Sequence, residues 1–267
     1  MVNIFDLAPT SLETITAFDV VTGSYLFTMD ELQNASLAQG EEKIDITGKQ
    51  GRKLTTLKRN KTLTVSGTNG MLSAGMLEMQ TGGKFSKKVA DVMWSDYLTV
   101  SGNSAKTTYT ATGTVGNEIA EVLVKDANGI VVKTLTQDAQ ASAGKFAYAP
   151  GTKVLTFNDG EIADGTEIVV NYMRKIQADV LENKSDVYSG KATLYIDLMA
   201  EDKCSNVYRV QIKVFKADFS GEFSLDFGDD QTVHNFEAEA LAGSCGAGGA
   251  LFSWTVFGAN AEDATVG

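Results

Sequence analysis

The sequence predicts a mainly β protein, an antiparallel β-sandwich or barrel with one flanking α-helix and a long polar loop or hairpin. Three observations carry this. There are only two prolines, Pro9 and Pro150, against 26 glycines in 267 residues, so the breaks between elements fall to Gly, Asn and Asp turns. Short segments with period-two alternation recur along the chain, and dipeptides such as Asn128-Gly129, Asp159-Gly160 and Asp164-Gly165 stand between them. Hydrophobic residues make up 43% and charged residues 21%, enough apolar material for a chain of this length to bury a core without disulfide or metal staples.

The elements follow in order. Ala17 to Thr28 reads as two apolar runs split by Thr22-Gly23, a tight hairpin. Asn34 to Leu57 is polar and glycine-bearing, and reads as a long loop or an extended hairpin facing solvent. Thr62 to Ser66 alternates, with Leu63 and Val65 on one face, as a half-buried strand requires. In Asn69 to Thr81 the apolar residues Met71, Leu72, Met76, Leu77 and Met79 approach helical spacing, and Gly82-Gly83 supplies a stop, so this segment is the predicted helix. Strands are then expected at 96–101, 107–113, 119–125, 130–136, 154–157, 167–173, 191–200, 207–216, 222–227, 232–240 and 251–257. No low-complexity linker forces a second domain, so the expectation is one β domain over residues 1–267, with an elaboration at about 105–174.

The charge balance narrows function. Lys and Arg total 23 and Asp and Glu 34, a net charge of −11, and such a field repels phosphate, which disfavours sequence-specific nucleic-acid binding. No run approaches the roughly 18 apolar residues of a membrane-spanning helix, and Asp6 stands where a signal peptide needs an apolar stretch. No membrane anchor and synthesis in the cytoplasm are therefore expected. Cys204 and Cys245 match no zinc or redox spacing; buried free thiols are the expectation, with a disulfide as the alternative.

Catalytic patterns are missing, and no catalytic, cofactor or metal residue is predicted. A His-based triad or zinc site would rest on His234 alone, which reads as a structural or surface residue. The carboxylate pairs Glu41-Glu42, Glu201-Asp202, Asp229-Asp230 and Glu262-Asp263 stand in no hydrolytic frame, and Asp226, Asp229 and Asp230 lack the remainder of a calcium loop. The glycines from Gly243 to Gly249 precede a strand and so lack the strand-to-helix setting of a phosphate loop. The basic cluster Arg52, Lys53, Lys58, Arg59 and Lys61 has no interleaved aromatics and follows Glu41-Glu42, which points to protein contact in preference to nucleic acid.

Two stretches resemble a known family. VVTGSYLF (20–27), GKQGRKL (48–54), KTLTVSG (61–67) and NGMLSAGMLEMQTGG (69–83) stand in the order found in the amino-terminal half of bacteriophage major tail tube proteins. The run from Val207 to Leu241, with GEFSL at 221–225, is similar to that family's carboxy-terminal strand pairs. The resemblance implies a structural virion protein of the viral tail, a homohexameric ring stacked by self-assembly into a tube that conducts DNA during ejection. Its implied partners are itself, other tail proteins at the tube ends, and DNA in transient non-specific passage; no cofactor is implied. By the same resemblance, Gln33 to Leu57 is the inter-subunit loop or hairpin that reaches the neighbouring ring, with Glu41, Glu42, Lys43, Arg52, Lys53, Lys58 and Arg59 as the inter-ring contact candidates. The helix at Met71 to Met79 is expected to pack on the sheet's outer face. Two other readings stay open: a capsid decoration or other virion protein, and a carbohydrate-binding adhesive sandwich using Trp94, Trp254 or Tyr172 as stacking platforms. For Trp254, within LFSWTVF, a core or interface role is the expectation.

Overall fold

The computed structural model of the chain describes residues 6–226, 233–242 and 248–258. Its strands are β1 (Leu7–Asp19), β2 (Tyr25–Met29), β3 (Leu32–Thr47), β4 (Lys53–Asn69), β5 (Ser86–Thr99), β6 (Ser104–Lys106), β7 (Glu121–Lys125), β8 (Val131–Gln137), β9 (Lys145–Ala149), β10 (Val154–Phe157), β11 (Glu167–Val180), β12 (Lys191–Asp202), β13 (Val207–Phe219), β14 (Leu225–Asp226), β15 (Val233–Ala240) and β16 (Phe252–Gly258), with one helix, α1 (Ala74–Thr81). The chain divides into two compact units: residues up to Phe85 with those from Leu181 onward, and Ser86–Val180 between them. The second unit therefore encloses the 105–174 stretch and extends past it on both sides.

The first unit is built on a nine-stranded sheet in the order β2-β1-β12-β13-β15-β4-β3, with β14 beside β15 and β16 beside β13. Alternation sets its two faces. Ile15, Ala17, Leu63, Val65, Leu194, Ile196, Val210, Ile212, Phe236 and Ala238 are all buried in one apolar cluster, as period two demands when a single face of a sheet is covered. The opposite face carries residues such as Thr16, Tyr195, Asp197, Gln211 and Lys213, where the Gln211 amide donates to Asp197 Oδ1 over 2.9 Å. The β1–β2 turn is set by Asp19, whose carboxylate accepts from the backbone N–H groups of Val21 and Thr22 at 2.9 and 2.7 Å.

The helix is shorter than its sequence pattern. Met71 and Leu72 are exposed and precede it. Ser73 is the reason: it sits in an extended conformation and its hydroxyl accepts from Met76 N, so it caps the helix and the turn can begin only after it. At the other end Gly82 adopts φ 70°, and a Cβ there would lie 2.0 Å from the Tyr188 carbonyl oxygen, so the stop signal at Gly82 holds. Met76 enters the core cluster and Gln80 Nε2 donates to the Asn235 carbonyl at 2.9 Å, which ties the helix to the sheet.

The second unit has a seven-stranded sheet, β5-β11-β7-β8-β9-β10-β6. β5 and β11 pair over their whole lengths, from Ser86 opposite Val180 to Thr99 opposite Glu167, so the chain enters and leaves this unit through adjacent residues. All pairings are antiparallel except β8 with β9. The core holds Ile119, Val122, Leu135, Phe146, Leu155, Ile168, Val170 and Tyr172.

Sequence patterning correctly indicates an antiparallel β fold with one helix, but several elements differ. The strand expected at 107–113 is irregular, because side chains take three of its backbone donors, and among the described residues only Thr107 N and Thr112 N reach backbone carbonyls, those of Lys153 and Met173. Thr108 N donates to Asp96 Oδ2 (2.7 Å), Tyr109 N to the Tyr172 hydroxyl (2.9 Å) and Ala111 N to the Tyr148 hydroxyl (2.9 Å). The segment expected at 222–227 forms only the two-residue β14 within the described residues. Cys204 is exposed, not buried, in the turn after β12, where Asp202 Oδ1 accepts from its backbone N–H at 2.8 Å. Cys245, the pairs Asp229-Asp230 and Glu262-Asp263, and the glycines 243–247 lie outside the described residues.

Candidate functional site: a charged hairpin arm

The segment that patterning left between loop and hairpin is a hairpin. β3 and β4 pair from Leu32 opposite Asn69 to Thr47 opposite Lys53, and the chain turns through Lys49–Gly51, with Gln50 at φ 61° and Gly51 at φ 72°. Its two halves have different surroundings. At the base β15 pairs with β4 over Thr64–Asn69, and Leu63 and Val65 enter the core. Beyond Gly40 and Thr62 neither strand pairs with anything but the other among the described residues, so residues 41–61 form a two-stranded arm.

A bulge marks the junction. Gly40 pairs with Thr62 but Glu42 pairs with Arg59, which leaves one extra residue on β4, and Asn60 takes φ 51° to absorb it. Such a bulge bends and twists the bulged strand. Asn is among the few residues with a side chain that adopt this conformation readily.

The seven predicted contact residues all fall on this arm, and the fold brings six of them into pairs within the arm. Glu41 meets Lys58 at 2.8 Å and Lys43 at 3.5 Å. Glu42 accepts from Arg59 at 2.7 Å and from Asn60 at 2.6 Å, while Lys53 reaches Asp45 at 2.6 Å. These partners hold the three carboxyls below their ordinary range: for Glu41 the hydrogen bond from Lys58 leads, for Glu42 that from Arg59, for Asp45 that from Lys53. Arg52, the seventh, has no such pair within 4 Å among the described residues. Patterning did not single out the apolar members of the arm, Ile44, Ile46, Leu54 and Leu57. Strand period would have found three of them, since Ile44 and Leu57 face each other across the ladder and share a face with Ile46; Leu54 falls outside that period, at a register shift.

Nothing catalytic gathers elsewhere among the described residues. No group of three or more His, Cys, Asp or Glu is placed to hold a metal ion, and no helix is long and apolar enough to cross a membrane. His234 is buried; its Nε2 lies 2.7 Å from Gln80 Oε1, and burial lowers its pKa. Because the Gln80 amide nitrogen already donates to Asn235, its oxygen faces the imidazole, which fixes the Nε2–H tautomer and a structural role. Glu201 and Asp202 are adjacent at the end of β12, and Asp202 is occupied by its own turn through Asn206.

The aromatic residues proposed as sugar platforms are differently placed. Tyr172 is buried and bonded through its hydroxyl to Asp96, so it offers no face to a ring. Trp94 is half-buried, with Tyr109 edge-on at 5.0 Å and the Arg174 guanidinium 4.8 Å from its ring centre. Trp254, expected in a core or interface, is half-exposed on β16, opposite the buried Ile212.

Comparison with curated proteins returned no match. At the level of families the result is positive: the pattern of the YomU/Tube protein family matches residues 10–251, and with a β fold and a projecting hairpin already in view, the chain belongs to that family, a phage tail tube family.

Proposed function

We propose that this protein self-assembles into rings, six subunits to a ring, that stack into the phage tail tube and conduct the genome during ejection. The observation that carries the reading is the arm at residues 41–61, which stands clear of its own sheet with its acidic groups already neutralised by its own cations. A two-stranded ribbon this short is marginal in water alone, so a second surface that covers it accounts for its length. Glu41, Glu42, Lys43, Arg52, Lys53, Lys58 and Arg59 are its contacts with the next ring.

The polar face of the nine-stranded sheet supports the same function. There Asp197, Asp218, Glu237 and Glu239 stand among Thr64, Ser66 and the cations Lys191, Arg209 and Lys213, and the small acidic excess, with the −11 of the whole chain, disfavours a tight hold on phosphate. The domain assignment follows: the first unit is the tube-forming part, and Ser86–Val180 is an elaboration of it. Synthesis takes place in the host cytoplasm, and other tail proteins close the tube's ends.

Electron microscopy of the purified protein, beside a variant in which residues 41–59 are replaced by a short turn, tests this. The full chain is expected to give hollow tubes of uniform width and the variant none. Normal tubes from the variant would remove the arm from stacking.

A further inference from the structure

Among the described residues the core of the first unit opens at a trough. Leu12 of β1, Leu37 of β3, Val65 of β4, Leu198 of β12, Ile212 of β13 and Trp254 of β16 line an apolar trough of about 420 Å³, a volume within the roughly 300–1,000 Å³ of cavities that accept ligands. Trp254 is 52% exposed there although its ladder partner Ile212 is 3% exposed, so an indole on the core side of the sheet is left in water. Among the described residues the arm of the same unit carries a second set of exposed apolar side chains, Ile46 and Leu57 on one face and Leu54 beside the turn. Ile46, Leu54 and Leu57 of the arm are 46%, 58% and 53% exposed.

We propose that the trough receives the tip of the arm from a second copy of this chain; this rests on the stacking reading above and names the surface that the arm would meet. Three features argue for that occupant. The first is reach. β4 runs as one strand from Val65 in the trough wall to Leu54 near the arm's tip, a span of roughly 35 Å at the rise of an extended strand. A ladder paired along this length cannot fold back on itself, so the tip cannot fill the trough of its own chain.

The second is charge. Residues 41–61 hold seven basic side chains (Lys43, Lys49, Arg52, Lys53, Lys58, Arg59 and Lys61) against Glu41, Glu42 and Asp45, a net +4; with −11 for the whole chain, the remainder carries −15. The three acidic groups are matched within the arm, whereas Lys49 and Arg52 at the tip form no ion pair within 4 Å among the described residues. The trough's rim supplies the opposite sign. Thr10 lies both in its lining and in the adjoining hollow, where Asp6, Glu201 and Asp202 outnumber the single cation Lys203, and Ser11 of the lining donates to Glu13. A basic arm on an acidic body is complementary to another copy of the same chain.

The third is symmetry. One projecting apolar tip and one open apolar trough on each subunit make a heterologous contact, which, where its rotation does not close a ring, leaves a free tip and a free trough after every addition and so grows along one direction.

The test is a pair of cysteines, Leu54→Cys with Trp254→Cys, in full-length protein carrying Cys204→Ser and Cys245→Ser. On oxidation the double variant is expected to give a ladder of covalent multimers on a non-reducing gel, where either single cysteine gives no more than a dimer. In parallel, Trp254→Asp is expected to raise the protein concentration needed for tubes at least tenfold, with the circular dichroism of the wild type retained. Tubes that form without the ladder, or Trp254→Asp tubes at the wild-type concentration, overturn the trough assignment and leave stacking by the arm intact. A protein that gives neither tubes nor ladder at any concentration overturns both.

Discussion

Leu12, Leu198 and Trp254 line an opening in the core of the first unit, whereas the largest side chains of the second unit's core, Tyr172, Phe146 and Ile119, are closed over. The polar interior differs in the same sense. In the second unit the Asp96 carboxylate accepts from Thr108 N, Thr108 Oγ1, Tyr172 Oη and Trp94 Nε1 within 2.7–3.0 Å, a fully used acceptor. Burial by itself would raise this carboxyl, but the hydrogen bonds led by Thr108 hold it below its ordinary value, while burial and the Asp96 charge push the Tyr172 phenol up to about 12. In the first unit the buried His234 has one partner at Nε2, and its Nδ1 and the Oδ1 of the facing Asn69 have none. The contrast lies in these sites and not in the surfaces: the buried carboxylate of the second unit is fully used and the buried imidazole of the first is not, while both units expose large apolar side chains, Val89, Met93 and Tyr97 in the second as Leu54, Leu57 and Trp254 in the first.

The largest blow to this contrast is at Asp96. Asp96→Ala strips the partners of Tyr172 Oη, Trp94 Nε1 and Thr108 N at once, and is expected to cost the second unit about 3 kcal/mol or more. Hydrogen exchange should show the loss at β7 and β8 amides while β12 and β13 keep their protection. Equal deprotection of both sheets would show that the units do not melt separately. Next comes Gly82→Ala, which forces a Cβ against the Tyr188 carbonyl at a left-handed φ. A loss of about 1–2 kcal/mol is expected, this time confined to β12, β13 and β15.

Acid should separate the units by pH. His234 is held neutral by burial, so the unfolded chain takes up its proton first as pH falls below the ordinary histidine value of 6.5. The first unit then loses stability from about pH 6.5 downward, until the lowered folded value is reached. Asp96 has a depressed folded value, so its contribution is complete above the ordinary 3.8 and is lost as pH falls through the folded value. Melting curves from pH 7 to pH 3, with His234→Gln abolishing the loss that begins near pH 6.5, check the order. The smallest effect is at the arm: Glu42→Gln breaks a solvent-exposed pair with Arg59, so thermal melting should not move, and any change should appear only in the concentration and salt needed for assembly.

Much of this was legible in the chain itself. The turns at Thr22-Gly23 and Asn128-Gly129 and the helix stop at Gly82 stand where their residue chemistry puts them, with Gly23, Gly129 and Gly82 all at positive φ. β9 went unread although KFAYA has period two, and the first half of β5 because Lys87, Lys88 and Asp91 dilute its apolar face. The charged candidates at 41–59 were legible as a cluster, but their pairing was not, since Glu42 finds Arg59 and Asp45 finds Lys53 only through a register that a bulge resets.

The sequence by itself determined a β-rich chain, its turns, one helix with its glycine stop, a net acidic charge with one basic segment, and the patterns that resemble a phage tail tube family. Those follow from local propensity and from composition, which neighbours along the chain decide. Only the tertiary structure decided that residues 86–180 close into a unit of their own, that the side chains of Asp96, Tyr148 and Tyr172 take three backbone donors of 107–113, and that Trp254 faces an open trough. Each of these depends on which strand lies beside which, and strand partners far apart in sequence leave no mark in a local pattern.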